Sequence, residues 1–140
     1  MDLTENTTTG LVQVVIQTIG TLHPGAISLV GDGLYYDLGD KLRNPHADLA
    51  MRYKTGLDKE VYLHVLGTPG ANAVINQIVN ETQALVAQRS RNLKLTRVTI
   101  ACRGGRHRSV AIAEIAAEHL RAEGAAVEVE HRHVELPVVQ

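Results

Sequence analysis

Eight consecutive residues, Cys102 to Ser109, combine a thiol, two glycines, three arginines and a histidine in the segment CRGGRHRS. The segment follows a β-branched run, Arg97 to Ala101, that predicts a buried strand, and it precedes an alanine-rich run, Val110 to Leu120, that predicts a helix. Glycines let a backbone approach a phosphate closely, and the unpaired N–H groups and dipole of a helix N-terminus favour an anion. The segment therefore predicts binding of a phosphorylated ligand.

The cationic side chains of this loop add to the predicted anion site. Arg103, Arg106 and Arg108 carry fork-shaped donors, and Arg108 stands where it could bind two phosphate oxygens at once. The predicted ligand-binding residues are His46, Arg103, Gly104, Gly105, Arg106, His107, Arg108 and Ser109. Additional candidate contacts are Asn44, His131, Arg132 and His133. If His107 titrates near its ordinary pKa, ligand affinity should fall as pH rises through neutrality.

Cys102 and Arg108 also satisfy the spacing C-x5-R, with Ser109 next in the chain. In cysteine phosphatases such a loop wraps one phosphate, the arginine binds two of its oxygens, and the helix dipole lowers the thiol pKa. No single aspartate is marked as the general acid of that reaction. The available candidates are Asp37, Asp40 and Asp58. The competing interpretation, which we favour, is that Cys102 is a small buried residue at the end of a strand.

Two further functions are weighed on the same residues. His131 and His133, two apart on the predicted last strand, could bind a metal together with His46 or His107. However, no carboxylate lies at a spacing typical of a metal ligand. Contact with an anionic ligand or with solvent is the favoured interpretation, and no metal or cofactor is expected. The arginines of the loop, with Arg132 and His133 on the next strand, could instead follow an RNA backbone. Such binding would be salt-sensitive, because interleaved aromatic residues for base stacking are lacking.

Composition limits the class of protein. The 140 residues, 44% of them hydrophobic, suit one folded domain, and the net charge of −1 gives no global basic field of the kind that nucleic-acid binders often carry. A single cysteine excludes an internal disulfide. Without a signal-like segment or a long apolar run, a cytoplasmic location and no membrane partner are expected. No G-x-x-x-x-G-K-[ST] motif supports a P-loop nucleotidase.

The chain is expected to divide into a disordered lead-in at 1–10, a single domain at 11–135 and a tail at 136–140. Strands are predicted at 11–19, 34–38, 95–101 and 126–134, and helices at 59–66, 68–89 and 110–120. The run 26–30 fits a strand or a helical turn equally well. Alternating strands and helices predict an α/β fold, a mostly parallel sheet of about four strands with flanking helices. The polar loop Asp40 to His46 would lie at the end of the second strand, where such sheets bind ligands.

The segment Cys102 to Ser109, followed by VAIAE, resembles the C-terminal domain of the RapZ family of RNase adapter proteins, also named nucleotide-binding proteins. In that domain a C-x-G-G-x-H-R-S loop opens the corresponding helix. Three other segments agree: Asp40 to His46 with its NPH, Arg52 to Asp58 ending in TGLD, and His131-Arg132. Together they span roughly residues 12 to 134.

The resemblance implies a phosphofructokinase-like α/β domain. It also implies binding of a phosphosugar (glucosamine-6-phosphate in the enterobacterial member), a contribution to small-RNA binding, and self-association. The positions that carry over to the anion pocket are His46, Arg103, Gly104, His107 and Arg108.

Two departures from the family pattern are visible in the sequence. The family's N-terminal kinase-like domain and its Walker motif have no counterpart here, so ATP or GTP hydrolysis is not expected. The family's Asp-x-Arg after the second strand reads Asp37-Leu38-Gly39, which lacks one basic residue near the pocket. We therefore expect a binding and regulatory module for a phosphorylated small molecule, coupled to RNA or protein binding, with a phosphatase or an RNA-binding domain as the alternatives.

Overall fold

The computed structural model describes residues 11–39, 42, 48, 50–89 and 94–137. Its strands are β1 (Val14–Gly20), β2 (Leu34–Asp37), β3 (Thr96–Cys102) and β4 (Val127–His131). Its α-helices are α1 (Lys59–Leu66), α2 (Ala71–Arg89) and α3 (Arg108–Ala122), and a short 3-10 helix occupies Ala26–Leu29. The strands form one sheet in the order β2-β3-β1-β4, and every neighbouring pair is parallel. The predicted α/β class is confirmed, whereas the lead-in expected at 1–10 lies outside the described residues.

The three α-helices lie on one face of the sheet. Helices α2 and α3 pack against each other and both contact the strands, and α1 packs on α3. The connections from β2 to β3 and from β3 to β4 cross the sheet in one direction through these helices, and the connection from β1 to β2 returns in the other. Because such crossovers share one hand, the returning connection and its 3-10 helix belong on the opposite face.

Side-chain alternation along the strands separates two clusters of buried residues. The larger cluster lies beneath the helices and is aliphatic, with fully buried Ile16, Val98, Ile100 and Ile112 among its members. The smaller one, on the opposite face, joins Ile19 and Ala101 to Ala26 of the 3-10 helix. With no phenylalanine or tryptophan in the chain, the core is aliphatic, as its composition predicts.

Several element ends differ from the sequence prediction. The last strand was expected to reach 134, but it ends at His131 because the chain turns after the Arg132 N–H donates to Thr18 O (3.0 Å). Thr68 was expected to be the first residue of the second helix. Its hydroxyl instead donates to His64 O in α1 (3.0 Å), and α2 begins at Ala71. Tertiary and side-chain hydrogen bonds, which propensity does not contain, set both ends.

No helix in the described part of the chain is long and apolar enough to cross a membrane.

Candidate anion-binding site

The two inner strands end side by side, and the CRGGRHRS loop begins there. Gly20, the last residue of β1, is in register with Cys102, the last residue of β3. Beyond the strands the pairing continues, because the Thr21 N–H donates to Cys102 O and the Leu22 N–H donates to Arg103 O, both at 2.9 Å. The loop is thus fixed to β1 along its first two residues. It lies at the carboxyl edge of the sheet, where parallel α/β sheets bind ligands.

Glycine is required where this loop touches β1. A Cβ on Gly20 would lie 2.4 Å from the carbonyl carbon of Gly104, and a Cβ on Gly105 would lie 2.6 Å from the Gly20 nitrogen. Gly105 also has a φ of 74°, a conformation that favours glycine. Gly104 is different, because a Cβ there would meet no atom of the residues that the structure describes within 4 Å. Gly105 therefore fixes the loop against β1, whereas Gly104 leaves open space in front of the loop.

The carbonyl and amide groups of the loop backbone differ in their hydrogen bonding. Five of its carbonyl oxygens accept hydrogen bonds: those of Cys102, Arg103, Gly104, Arg106 and His107. The donors come from the β1 end, from His23, from Gly56 and from the first turn of α3. By contrast, the amides of Gly104, Gly105, Arg106 and His107 donate to no acceptor among the residues that the structure describes. Successive unpaired amides that lead into a helix N-terminus form an anion-binding concavity.

The Arg106 guanidinium holds three segments together. Its Nη1 donates to Val134 O (3.1 Å) and Leu136 O (2.8 Å), and its Nη2 donates to Tyr53 O (2.7 Å). Its own carbonyl accepts from the Gly56 N–H at 2.6 Å. Arg106, predicted as a ligand contact, thus connects the loop to the turn before α1 and to the turn after β4.

Arg108 lies inside the protein rather than at its surface. It is the first residue of α3 and only 2% exposed, and its Nη1 donates to the carbonyl oxygens of Leu38, Gly39 and Leu42 at 3.0–3.2 Å. Those carbonyls belong to the chain that leaves β2. Arg108 therefore anchors the β2 loop to the start of α3, and Arg103 is the exposed arginine of the loop.

His107 is also buried, with 5% of its surface exposed, and its Nε2 lies 3.1 Å from Met51 O. Burial lowers the pKa of His107 below its ordinary value, and Arg106 adds to that effect, although the hydrogen bond to Met51 opposes it. The imidazole is thus held neutral near pH 7. This differs from the sequence hypothesis that His107 titrates near its ordinary pKa.

A stacked histidine pair supports the other side of the loop. The rings of His23 and His133 lie 4.4 Å apart at 29°, the Gly20 N–H donates to His133 Nδ1 (2.7 Å), and His23 Nε2 lies 3.1 Å from Gly104 O. Burial, followed by the neighbouring His23 and Arg132, lowers the pKa of His133. Sequence reasoning placed His133 at the site but missed His23, whose only signal was its position in a glycine- and proline-containing loop after β1.

His131 has different partners from His133. Its Nδ1 lies 2.9 Å from the Thr18 hydroxyl, and its Nε2 lies 2.8 Å from a carboxylate oxygen of Glu114 on α3. These contacts fasten β4 to β1 and to α3. Among the described residues, no group of three or more histidine, cysteine, aspartate or glutamate side chains is placed to hold a metal ion.

A family model for the RapZ C-terminal domain matches residues 12–135. The chain belongs to this family. The resemblance predicted from the loop and its three accompanying segments is confirmed.

Curated relatives agree with the assignment to the RapZ C-terminal domain family. A nucleotide-binding protein of Nitratidesulfovibrio vulgaris is 40% identical over 96 residues, which are 68% of this chain and 32% of the relative. One from Corynebacterium jeikeium is 33% identical over 127 residues, 89% of this chain and 42% of the relative. One from Thermus thermophilus is 42% identical over 94 residues, 67% of this chain and 34% of the relative. The chain thus spans about a third to two fifths of the length of these proteins.

The cysteine of this RapZ C-terminal domain is buried at the base of the loop. Cys102 is 2% exposed, its Sγ lies 3.2 Å from the Ser109 hydroxyl, and the Ser109 N–H points to the sulfur at 3.5 Å. Two of the three aspartates considered as general acids bond to backbone amides, Asp37 to Gly39 and Asp58 to Thr55. The third, Asp40, lies outside the described residues, as do the predicted contacts Asn44 and His46.

Proposed function

We propose that this RapZ C-terminal domain is a non-catalytic binding module for a phosphate-bearing small molecule, a phosphosugar or a nucleotide. The phosphate is held by the backbone amides of Gly104 to His107 at the start of α3. Arg103 contributes charge from the rim of the loop. The loop and its neighbouring turns are held in place by the side chains of Arg106, His107 and Arg108.

The polarity of the loop carries this proposal. Its carbonyls are bonded to surrounding segments, so the amides face away from those segments and toward the open space at Gly104. An anion there would meet several N–H donors and the positive end of the α3 dipole. A cation would be repelled by the same field, so the site favours anions. The relatives' name, nucleotide-binding protein, agrees with a ligand of this chemistry.

The test is a calorimetric titration of the domain with inorganic phosphate, glucosamine-6-phosphate and a nucleoside monophosphate. The Gly104→Leu variant should fold normally, because a Cβ there meets no atom of the described residues within 4 Å, yet its side chain should fill the space before the amides. We expect saturable binding by the parent and at least a tenfold loss, about 1.4 kcal/mol, in the variant. Ala122→Leu, at the exposed end of α3, is the control and should bind as the parent does. Equal binding by Gly104→Leu would refute the proposed site.

The Cys102–Ser109 contact is the one observation that favours the phosphatase alternative, because the Ser109 hydroxyl and amide lie beside the sulfur as hydrogen-bond partners. A nucleophile must also reach its substrate, and a thiol with 2% exposure does not favour this. Cys102→Ser separates the two functions. We expect unchanged ligand binding and no phosphate release by either protein; phosphate release by the parent that Cys102→Ser abolishes would establish the enzyme instead.

The RNA alternative relies on the exposed cations of the same edge, Arg103 and Arg132. Phosphate contacts to RNA release counterions, so affinity should fall steeply with salt. A filter-binding series from 50 to 200 mM salt would detect such binding. No measurable affinity at 50 mM salt would exclude it, and a steep loss that Arg103→Ala and Arg132→Ala make shallower would establish it.

A further inference from the structure

The Gly104 carbonyl differs from the other bonded carbonyls of the CRGGRHRS loop, because its partner is a side chain. His23 Nε2 lies 3.1 Å from the Gly104 oxygen, whereas the other carbonyls accept from backbone N–H groups. A carbonyl can only accept, so His23 Nε2 carries a proton. Because a trans peptide group points its C=O and its N–H in opposite directions, this bond directs the Gly105 N–H away from His23. His23 thus orients one of the amides that we propose to hold the phosphate.

The ring stacked on His23, that of His133, cannot take up a second proton without losing a contact. The Gly20 N–H donates to His133 Nδ1 at 2.7 Å, so this nitrogen carries no proton. A proton there would break the bond at the point where Gly20 lies against Gly104. Burial lowers the pKa of His133, and His23 and Arg132 add to that effect. His133 is therefore neutral near pH 7.

His23 can take up a proton and keep its contact with the loop. Its Nε2–H bonds to the Gly104 oxygen whether the ring is neutral or cationic, because the added proton goes to Nδ1. Nδ1 has no hydrogen-bond partner among the residues that the structure describes. Imidazole is the side chain that ordinarily changes charge between about pH 5 and pH 8. A single proton added to the stacked pair, whose ring centroids lie 4.4 Å apart, therefore belongs on His23.

A positive charge on His23 is not offset by a carboxylate in the described part of the chain. The charged side chains of the adjoining loop and of the turn after β4 are Arg103, Arg106, Arg132 and Glu135. Glu135 is exposed and contacts neither histidine ring. An anion bound to the loop supplies the missing negative charge. Anion binding and protonation of His23 therefore favour each other, and thermodynamic linkage makes the two effects equal.

We propose that His23 is a positioning residue of the phosphate site and that anion binding there is coupled to the uptake of a proton from solvent at His23 Nδ1. This inference rests on the proposed function. The neutral ring holds the peptide between Gly104 and Gly105 in the orientation that binds the anion, and the protonated ring adds a charge beside it. Ligand affinity falls as pH rises, the direction that the sequence suggested for His107, but the titrating residue is His23.

The experiment is a calorimetric titration of the whole chain with sulfate at about pH 6 and about pH 8. Sulfate keeps the same charge at both values, so any pH dependence belongs to the protein. Each titration is repeated in a second buffer of different ionisation enthalpy, and the difference in observed enthalpy gives the number of protons taken up. We expect binding roughly fivefold tighter at the lower pH, with proton uptake that accompanies binding.

Two substitutions of His23 separate orientation from charge. His23→Gln keeps an N–H donor near the position of Nε2 but cannot titrate. Its affinity at about pH 8 should lie within about twofold of the parent value, without pH dependence or proton uptake. His23→Leu removes the donor as well and should bind roughly three- to tenfold more weakly at both pH values. His119→Gln, on the exposed side of α3, is the control and should match the parent protein throughout.

The assignment of the proton to His23 is tested by His133→Asn, whose side-chain oxygen still accepts the Gly20 N–H. Proton uptake should persist in this variant, and its loss would overturn the inference. Equal sulfate affinity at both pH values in the parent, or a pH dependence that His23→Gln retains, would also overturn it. Unweakened binding by His23→Leu would remove the positioning role. If the parent bound no sulfate, the inference would fail, and titration with inorganic phosphate would decide whether the proposed function fails too.

Discussion

The helix-covered face of the sheet and its carboxyl edge are stabilised by different kinds of interaction. On the covered face, aliphatic side chains such as Ile16, Ile100 and Ile112 are buried against one another. At the edge, glycine backbones touch directly, and arginine and histidine side chains bond to backbone atoms. Packing on the covered face depends on apolar volume, which many residue types supply. The contacts at the carboxyl edge depend on particular atoms, so substitutions should have larger effects at the edge than in the core.

The largest effect is expected from Arg108→Met. The methionine fills much of the buried volume but leaves the carbonyls of Leu38, Gly39 and Leu42 without the guanidinium donor. We expect a loss of about 4 kcal/mol in the free energy of unfolding, measured by urea denaturation. Arg103→Ala, the exposed arginine of the same loop, is the control and should change stability by less than about 0.5 kcal/mol. Similar losses in the two variants would contradict the difference in roles.

The second-largest effect is expected at the carboxyl edge, where the backbone of Gly20 touches that of Gly104. Gly20→Ala places a methyl group 2.4 Å from the Gly104 carbonyl, so β1 or the loop must move. We expect destabilisation by about 3 kcal/mol in urea denaturation, together with weaker phosphate binding. Gly104→Ala adds the same methyl group where no atom of the described part of the chain lies within 4 Å, and it should leave stability unchanged. If both variants were equally stable, the close approach of Gly20 to the loop would be wrong.

A smaller effect is expected from the covered face. Ile112→Val removes one buried methyl group of α3 that packs under the sheet, and it should cost about 1 kcal/mol by thermal or urea unfolding. Phosphate affinity should not change, because the loop backbone is untouched. A loss of affinity comparable to that of Gly20→Ala would show that core and edge are not separable.

The smallest expected effect is a change in folding stability with pH. The folded-state pKa values of His107 and His133 are lowered, mainly by burial, from the ordinary value of 6.5. Below about pH 6.5 the unfolded chain therefore binds protons that the folded chain resists, and stability falls as pH decreases toward the folded-state values. Urea midpoints at pH 7.5 and pH 5.5 measure this fall, which His133→Asn should reduce. His119→Gln, on the exposed side of α3, should leave it unaltered, and a pH-independent midpoint in the parent protein would contradict the assignment.

Much of the architecture could be predicted from the chain alone. The β-branched runs at β1 and β3 and the three- and four-residue spacing along α2 located these elements to within a few residues, since both patterns reflect burial on one face. The motif CRGGRHRS also located the loop between β3 and α3. The pattern left the conformation of 26–30 open. Ala26–Leu29 form a 3-10 helix, which is too short for a periodicity to be recognised in the sequence.

Local sequence thus determined where the strands, helices and glycine loop lie, because periodicity and glycine spacing record which side of each element is buried. It could not assign roles to Arg103, Arg106 and Arg108, which look alike in the chain. Only the tertiary structure decided that Arg106 reaches Tyr53 and Leu136, that Arg108 reaches Leu38, and that His23 stacks on His133. Those contacts join residues from 30 to more than 100 positions apart, and no local pattern encodes such a distance.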